Sequence, residues 1–152
     1  MIATAALLIA AAPRGQAAGF NFGDWNVNTS EFSLNYETGN FSSPSLLTLT
    51  RPGNEVRADR GTGNYKTKQA TLTGHVWLHD RNGTLTNFAG AGGNKPATLT
   101  CDTLQIDGIS KIYTAIGRVH FTQGASFATA DKAVMNGITH DLHLYGHVTL
   151  HQ

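Results

Sequence analysis

The residues of this 152-residue chain that could do chemistry are seven histidines, one cysteine and three aspartates, Asp59, Asp102 and Asp131, that recur with companion glycines. Paired carboxylates can do acid and base work, and clustered histidines can hold zinc. His75 and His79, like His147 and His151, are four residues apart. On an extended strand that is roughly 13 Å, too far for one ion to bridge. His75 and His147 share a column of the pattern, but Arg118 occupies it in the copy between them, and its charge repels a cation. Neither a metal nor another cofactor is expected, and the histidines read as solvated face residues. The three aspartates recur at one place in each copy of a repeat. A catalytic group is wanted once, whereas a turn carboxylate is wanted in every copy. No G-x-S-x-G elbow is present, and "GAGGN" has no helical pattern after it. No catalytic residue is assigned, and the chain reads as a non-enzyme.

The repeat positions all of these residues. Aligned on Gly74, Gly117 and Gly146, the stretches "TLTGHVWLHD", "AIGRVHFTQG" and "LYGHVTLHQ" each have an Asp fifteen residues upstream of the Gly. Before each Asp stands a small residue, Ala58, Cys101 or Ala130, so the cysteine occupies an alanine column and reads as a small buried residue. From Asp102 to Asp131 is 29 residues, and 29 before Asp59 lies Ser30, heading a weaker copy in which Ser45 replaces the Gly. The longer interval from Asp59 to Asp102 takes up a Gly/Asn-rich insert around residues 81–96, which a loop tolerates at little cost. A 29-residue unit holds two strands of about ten residues, each reaching roughly 33 Å.

Alternation marks one dry face per strand. In the three copies it runs Ala70, Leu72, Gly74, Val76, Leu78; then Tyr113, Ala115, Gly117, Val119, Phe121; then Leu142, Leu144, Gly146, Val148, Leu150. The opposite face, with Thr71, Thr73, His75, Trp77, Arg118, His120, His143 and His147, is mostly polar. Three glycines in register on the dry face predict a shared bend that curls the sheet into a trough. Alternation by itself fits a closed sandwich better than a trough.

Only 14% of residues are charged and the net charge is +1, with no basic run, so nucleic acid is excluded as a partner. The single cysteine excludes an internal disulfide framework. Residues 1–18 carry "MIATAALLIAAA", an apolar run too short to span a bilayer, which takes about 20 residues; they read as a signal-peptide core that directs residues 19–152 to the periplasm or, if uncleaved, as an apolar N-terminal segment that holds the protein to a membrane.

With Ala58-Asp59 and Thr73-Gly74-His75-Val76, Cys101-Asp102 and Ile116-Gly117-Arg118-Val119, and Ala130-Asp131 and Tyr145-Gly146-His147-Val148, the chain from about residue 27 to 152 resembles the OstA-like family of lipopolysaccharide-transport proteins, the LptA and LptC group. The resemblance implies an all-β, folded-over antiparallel β-jellyroll, open along one side. It also implies an apolar trough for the acyl chains of lipopolysaccharide or a similar envelope amphiphile. The trough would be lined by Leu72, Val76, Leu78, Tyr113, Ala115, Val119, Phe121, Leu142, Leu144, Val148 and Leu150, with Gly74, Gly117 and Gly146 at the bend. Partners would be other jellyroll domains of the transport system, or further copies stacking on the strand edges. The alternative is a structural or adhesive β-repeat module with a closed core. Aspartate at Val119 or Phe121 is expected to abolish lipid binding, and aspartate at His120 is not.

Overall fold

A computed structural model describes residues 6–9, 18–83 and 95–152, so most of residues 1–18, expected to form a signal peptide or apolar N-terminal segment, and of the insert around residues 81–96 lie outside the described residues. The described residues are all-β, and every strand pairing is antiparallel. Four strands run long and unbroken: β9 (Gln69–Asp80), β10 (Ala97–Asp107), β11 (Ile112–Gln123) and β12 (Ser126–Asn136). β1 (Ala6–Ile9) and β2 (Ala18–Phe22) are short, and the rest are long strands broken at mid-length into β3 (Trp25–Thr29) and β4 (Phe32–Asn35), β5 (Asn40–Ser43) and β6 (Leu47–Arg51), β7 (Asn54–Ala58) and β8 (Arg60–Asn64), β13 (Leu142–Tyr145) and β14 (Thr149–His151). One half of β9 pairs with β7 and the other with β8, and β12 likewise pairs with both β14 and β13. The breaks fall on one line across the sheet, which divides it into two half-sheets. The first holds β2, β3, β6, β7 and β14; the second holds β1, β4, β5, β8 and β13; β9 to β12 run through both.

The line of breaks is where each Asp meets its Gly. Gly74, Gly117 and Gly146 have φ of 84°, 82° and 72°, and the residues after them, His75, Arg118 and His147, are left-handed as well, at 43°, 47° and 46°. The Asp59 N–H donates to the Gly74 carbonyl at 2.9 Å and the Asp131 N–H to that of Gly146 at 2.8 Å. A Cβ on Gly74 or Gly117 would lie 2.5 Å from Oδ2 of Asp59 or Asp102, and one on Gly146 would meet Asp131 in the same way. Two demands therefore fix glycine here, a positive φ and a side chain pressed on the Cα. The aspartates, expected at turns, instead join neighbouring strands: Asp59 takes His75 Nδ1 at 2.7 Å, Asp131 takes His147 Nδ1 at 2.7 Å, and Asp102 accepts from Arg118 Nη2 at 2.6 Å and Nε at 3.0 Å. The weak first copy keeps the arrangement with hydroxyls, Ser30 donating to Ser45 at 3.0 Å.

A second repeated device lies at the free edge of the second half-sheet. Oδ1 of Asn35, Asn64, Asp107 and Asn136 accepts from the backbone N–H two and three residues on, at 2.9–3.1 Å in each case. Gly39, Lys68, Lys111 and His140 then turn left-handed, at φ between 56° and 85°. Each turn docks on the one before it: Tyr65 N–H donates to the Gly39 carbonyl, Gly108 to Lys68 and Gly137 to Lys111, at 2.7–3.0 Å. These Asx turns fix hairpin register without requiring glycine.

Folding at the bend brings the two inner faces together. Phe20 and Phe22 of β2 meet Phe32 and Phe41 of the other half-sheet at ring separations of 4.9–5.8 Å. The core continues through Leu47, Leu49, Val56, Leu99, Leu104, Ile106, Ala133 and Met135, all buried. Fully burying a side chain of this size is worth about 1.5–3 kcal/mol, so the stacked faces supply the main favourable term of the fold.

Gly117→Ala is expected to cost about 2 kcal/mol, from a strained φ and contact with Asp102. In chemical denaturation, Asp102→Ala should add less in that background than in the wild type, because the steric part is shared. Additive losses would show that the glycine is needed only for its backbone angle.

Candidate functional site

The residues expected to line a trough divide sharply by position. Leu72, Val76, Leu78, Tyr113, Ala115, Val119 and Phe121 are all 2% exposed or less and pack on one another across the interior. Leu142 and Leu144 are half-buried against that core, while Val148 is 45% and Leu150 58% exposed. Leu150 stands opposite Ala128, and Ala128 opposite Phe121, so all three point to the inner face. The inner face is thus covered in the middle of the molecule and uncovered along its last strand. An aspartate at Val119 or Phe121 would disrupt packing before it reported on lipid; Val148 and Leu150 are the inner-face positions where a change leaves the packed interior intact.

Opposite the bend, the free edges of the half-sheets meet at a seam whose two lips differ. On the first half-sheet the inner-face residues nearest the seam are Phe22, Trp25, Arg51, Asn54, Asp80, Ala97 and Gln123, in register across β2, β3, β6, β7, β9, β10 and β11. On the second they are Leu34, Phe41, Ala70, Ile106, Tyr113 and Met135. The polar lip is satisfied internally: Arg51 Nε donates to Asn54 at 2.7 Å, Asn54 Nδ2 to Asp80 at 2.9 Å, and Gln123 Nε2 to the Lys95 carbonyl at 3.0 Å. The Arg51 guanidinium lies 4.4 Å from the Trp25 ring centre and 5.8 Å from that of Tyr113, bridging the lips. Asp24, at the tip of the β2–β3 turn, closes the seam from outside through Lys111 Nζ at 3.1 Å and Arg51 Nη1 at 3.9 Å. Hydrogen bonding to Lys111, and its charge, hold the Asp24 carboxyl below the usual carboxylate range. Sequence reading did not single out Asp24, Arg51 or Lys111; "FNFGDWNV", with Gly-Asp between two alternating runs, is the hairpin signal that leads to them.

The histidines lie on the outer face, at the bend or, for His140, in the last of the Asx turns. His79 stacks on Trp77 at 5.4 Å and bonds Thr98, and His120 and His151 flank Phe127 at 6.0 and 5.0 Å. No three metal-ligating side chains converge among the described residues. Burial pushes the Cys101 thiol up to about 12, which leaves it an unreactive core residue. Three concavities of ≈ 390, 480 and 480 Å³ lie along the second half-sheet and share Thr71; the first, bounded by the core residue Phe32 and buried Ser43 together with Ser33, Ser42, Thr62 and Thr73, is the most apolar.

No family model and no curated protein sequence matches the chain. Among solved structures it matches LptH of Pseudomonas aeruginosa, the LptA-homologous periplasmic component of the conserved lipopolysaccharide transport device. The TM-score is 0.72, covering 87% of this chain and 99% of that one, at 9% sequence identity. The chain has an LptA-like fold. At that identity the likeness lies in the path of the backbone, namely a single antiparallel sheet folded over and unclosed, as the β-jellyroll expectation required.

The bend pairs of the LptA-like sheet respond differently to pH. Asp131, by hydrogen bond and charge, raises the His147 pKa above its ordinary 6.5, and the Arg118 hydrogen bond holds Asp102 below 3.8. The His147 contribution is therefore full below pH 6.5 and is lost as pH rises through the raised value; that of Asp102 is full above pH 3.8 and is lost as pH falls through the depressed one. In thermal melts the deficit of Asp131→Asn relative to wild type should shrink between pH 6 and 9. That of Asp102→Asn should stay constant over the same range.

Proposed function

We propose that this protein is a non-enzymatic periplasmic carrier or bridge component that shields the acyl chains of lipopolysaccharide, or a similar envelope amphiphile, against its inner face. The observation that carries the reading is the union of an LptA-like fold with an inner face left uncovered at its last strand, where Val148 and Leu150 continue the buried columns into solvent. Each methylene transferred from water to such a surface is worth about 0.8 kcal/mol, so a few chains suffice for tight binding. Export of residues 19–152 follows from the same reading.

The same edge supports stacking with other jellyroll domains or further copies. Among the described residues β13 and β14 pair only with β12, and an unpaired strand edge accepts a further strand. The repeated turns give such stacking a polarity, because Tyr65, Gly108 and Gly137 each donate to the carbonyl of the preceding turn. No covalent step is involved, and directional movement requires an energy source in another component.

A second reading, an assembly module with a closed core, is favoured by the complete burial of the seven central trough residues. Native mass spectrometry of the protein taken from its own envelope separates the two. Co-purifying lipid, reduced at least several-fold in a Val148→Gln, Leu150→Gln variant of unchanged stability, is expected of the carrier. Lipid-free protein in every preparation would leave the closed module standing.

A further inference from the structure

Resting on the carrier reading, we infer that the seam carries a receiving site for the anionic headgroup of the amphiphile, built from Arg51 and Lys111 and held shut by Asp24. Two cations converge on one carboxylate oxygen, Asp24 Oδ2, and Lys68 adds to the positive field there. The other side of Arg51 is turned to Asn54, which passes its hydrogen bond on to buried Asp80, so Asp24 is the anion that answers the outward charge. It does so loosely. Asp24 sits 60% exposed on a two-residue turn, and its contact with Arg51 is 3.9 Å, beyond hydrogen-bond length.

The position of the cations decides the ligand. Arg51 lies between Trp25 and Tyr113, whose rings are buried, so an anion at Arg51 and Lys111 stands directly over the apolar interior. A free anion would use only the charges; an anion carrying an alkyl tail would also place that tail between the polar and apolar lips. A phosphate or sulfonate group, with three oxygens, can engage both cations where one carboxylate oxygen now serves them. The tie being replaced is one of those that join the lips: Asp24 and Lys111 are 87 residues apart and belong to opposite half-sheets. Exchange of Asp24 for the headgroup therefore loosens the lips as the tail enters, which couples recognition of the charge to access to the interior.

The test measures binding of dodecyl phosphate, dodecyl maltoside and inorganic phosphate to the full chain below micellar concentrations, by calorimetry at neutral pH. Dodecyl phosphate is expected to bind most tightly. Lys111→Met should weaken it roughly tenfold, the loss of one charge-assisted hydrogen bond. Asp24→Asn, which removes the competing anion, should tighten it by a similar factor, and neither change should move dodecyl maltoside. Melting temperatures close to wild type confirm that both variants are folded. If both detergents bind and the variants shift neither, or shift both alike, the headgroup site is refuted while the carrier reading survives. If inorganic phosphate binds as tightly as dodecyl phosphate, the site serves a free anion and the inference is refuted. If neither detergent binds the wild type, the carrier reading falls and the headgroup site with it.

Discussion

The pairing of an aspartate on one strand with a Gly-x step on the next is the constraint from which the rest of the architecture follows. A flat sheet with one apolar face would leave that face in water, and folding the sheet on itself is the way a single sheet covers it. The fold line has to cross every strand at the same level. Three glycines with positive φ supply the change of direction, and the aspartate pressed on each one holds neighbouring strands to the same level through a backbone bond and a side-chain pair. The residue after each glycine also takes a left-handed angle that costs a side chain of order 1–2 kcal/mol. That the side chain there reaches the aspartate explains why His or Arg stands where glycine would be less strained.

Much of this was legible in the sequence because a repeat writes each physical requirement several times. Period-two alternation gave the inner columns of the Gly-bearing strands, and the 29-residue spacing aligned the bend residues. The Asp-bearing strands resisted the same reading. Their inner residues run Leu99, Cys101, Leu104, Ile106 and Ala128, Ala130, Ala133, Met135, changing parity at the aspartate because the Gly-bearing partner spends one extra residue in the bend. A strict alternation template loses such a strand halfway along. The turn device escaped for a different reason: Asn35, Asn64, Asp107 and Asn136 keep the repeat spacing, but the residue that turns left-handed is Gly, Lys, Lys or His, so no single residue type marks the column. The role of the aspartates was misjudged because a carboxylate in a turn and one bridging two strands leave the same trace in a sequence.

The columns expected to line a trough face the inner side of the folded sheet, but in the middle of the molecule that side is packed shut. Facing is a matter of parity, which a sequence carries; whether two apolar faces touch depends on the distance between them, which it does not. Here they touch in the middle, where ring packing between β2 and the β4–β5 pair draws the half-sheets together, while Leu150 on β14 and Val148 just before it stay exposed. In a repeat each unit buries the face of its neighbour, so a face without a neighbour packed on it stays exposed.

The seam differs in this respect, because its chemistry is not repeated. Arg51, Asn54, Asp80 and Gln123 occupy inner-face positions where the repeat elsewhere places apolar residues, and each is held by a specific partner. Polar groups at buried positions carry a desolvation cost that an apolar core would avoid, so a lip built from them gives up stability relative to a sealed sandwich. The opposite lip shows that the fold does not demand them: Leu34, Phe41, Ile106 and Met135 take the equivalent places without any charge. A closed assembly module gains nothing from such asymmetry. Under the proposed carrier role, the asymmetry suits an entrance in which only the partly exposed Arg51 side of the polar lip meets an amphiphile's head while the apolar lip meets its tail.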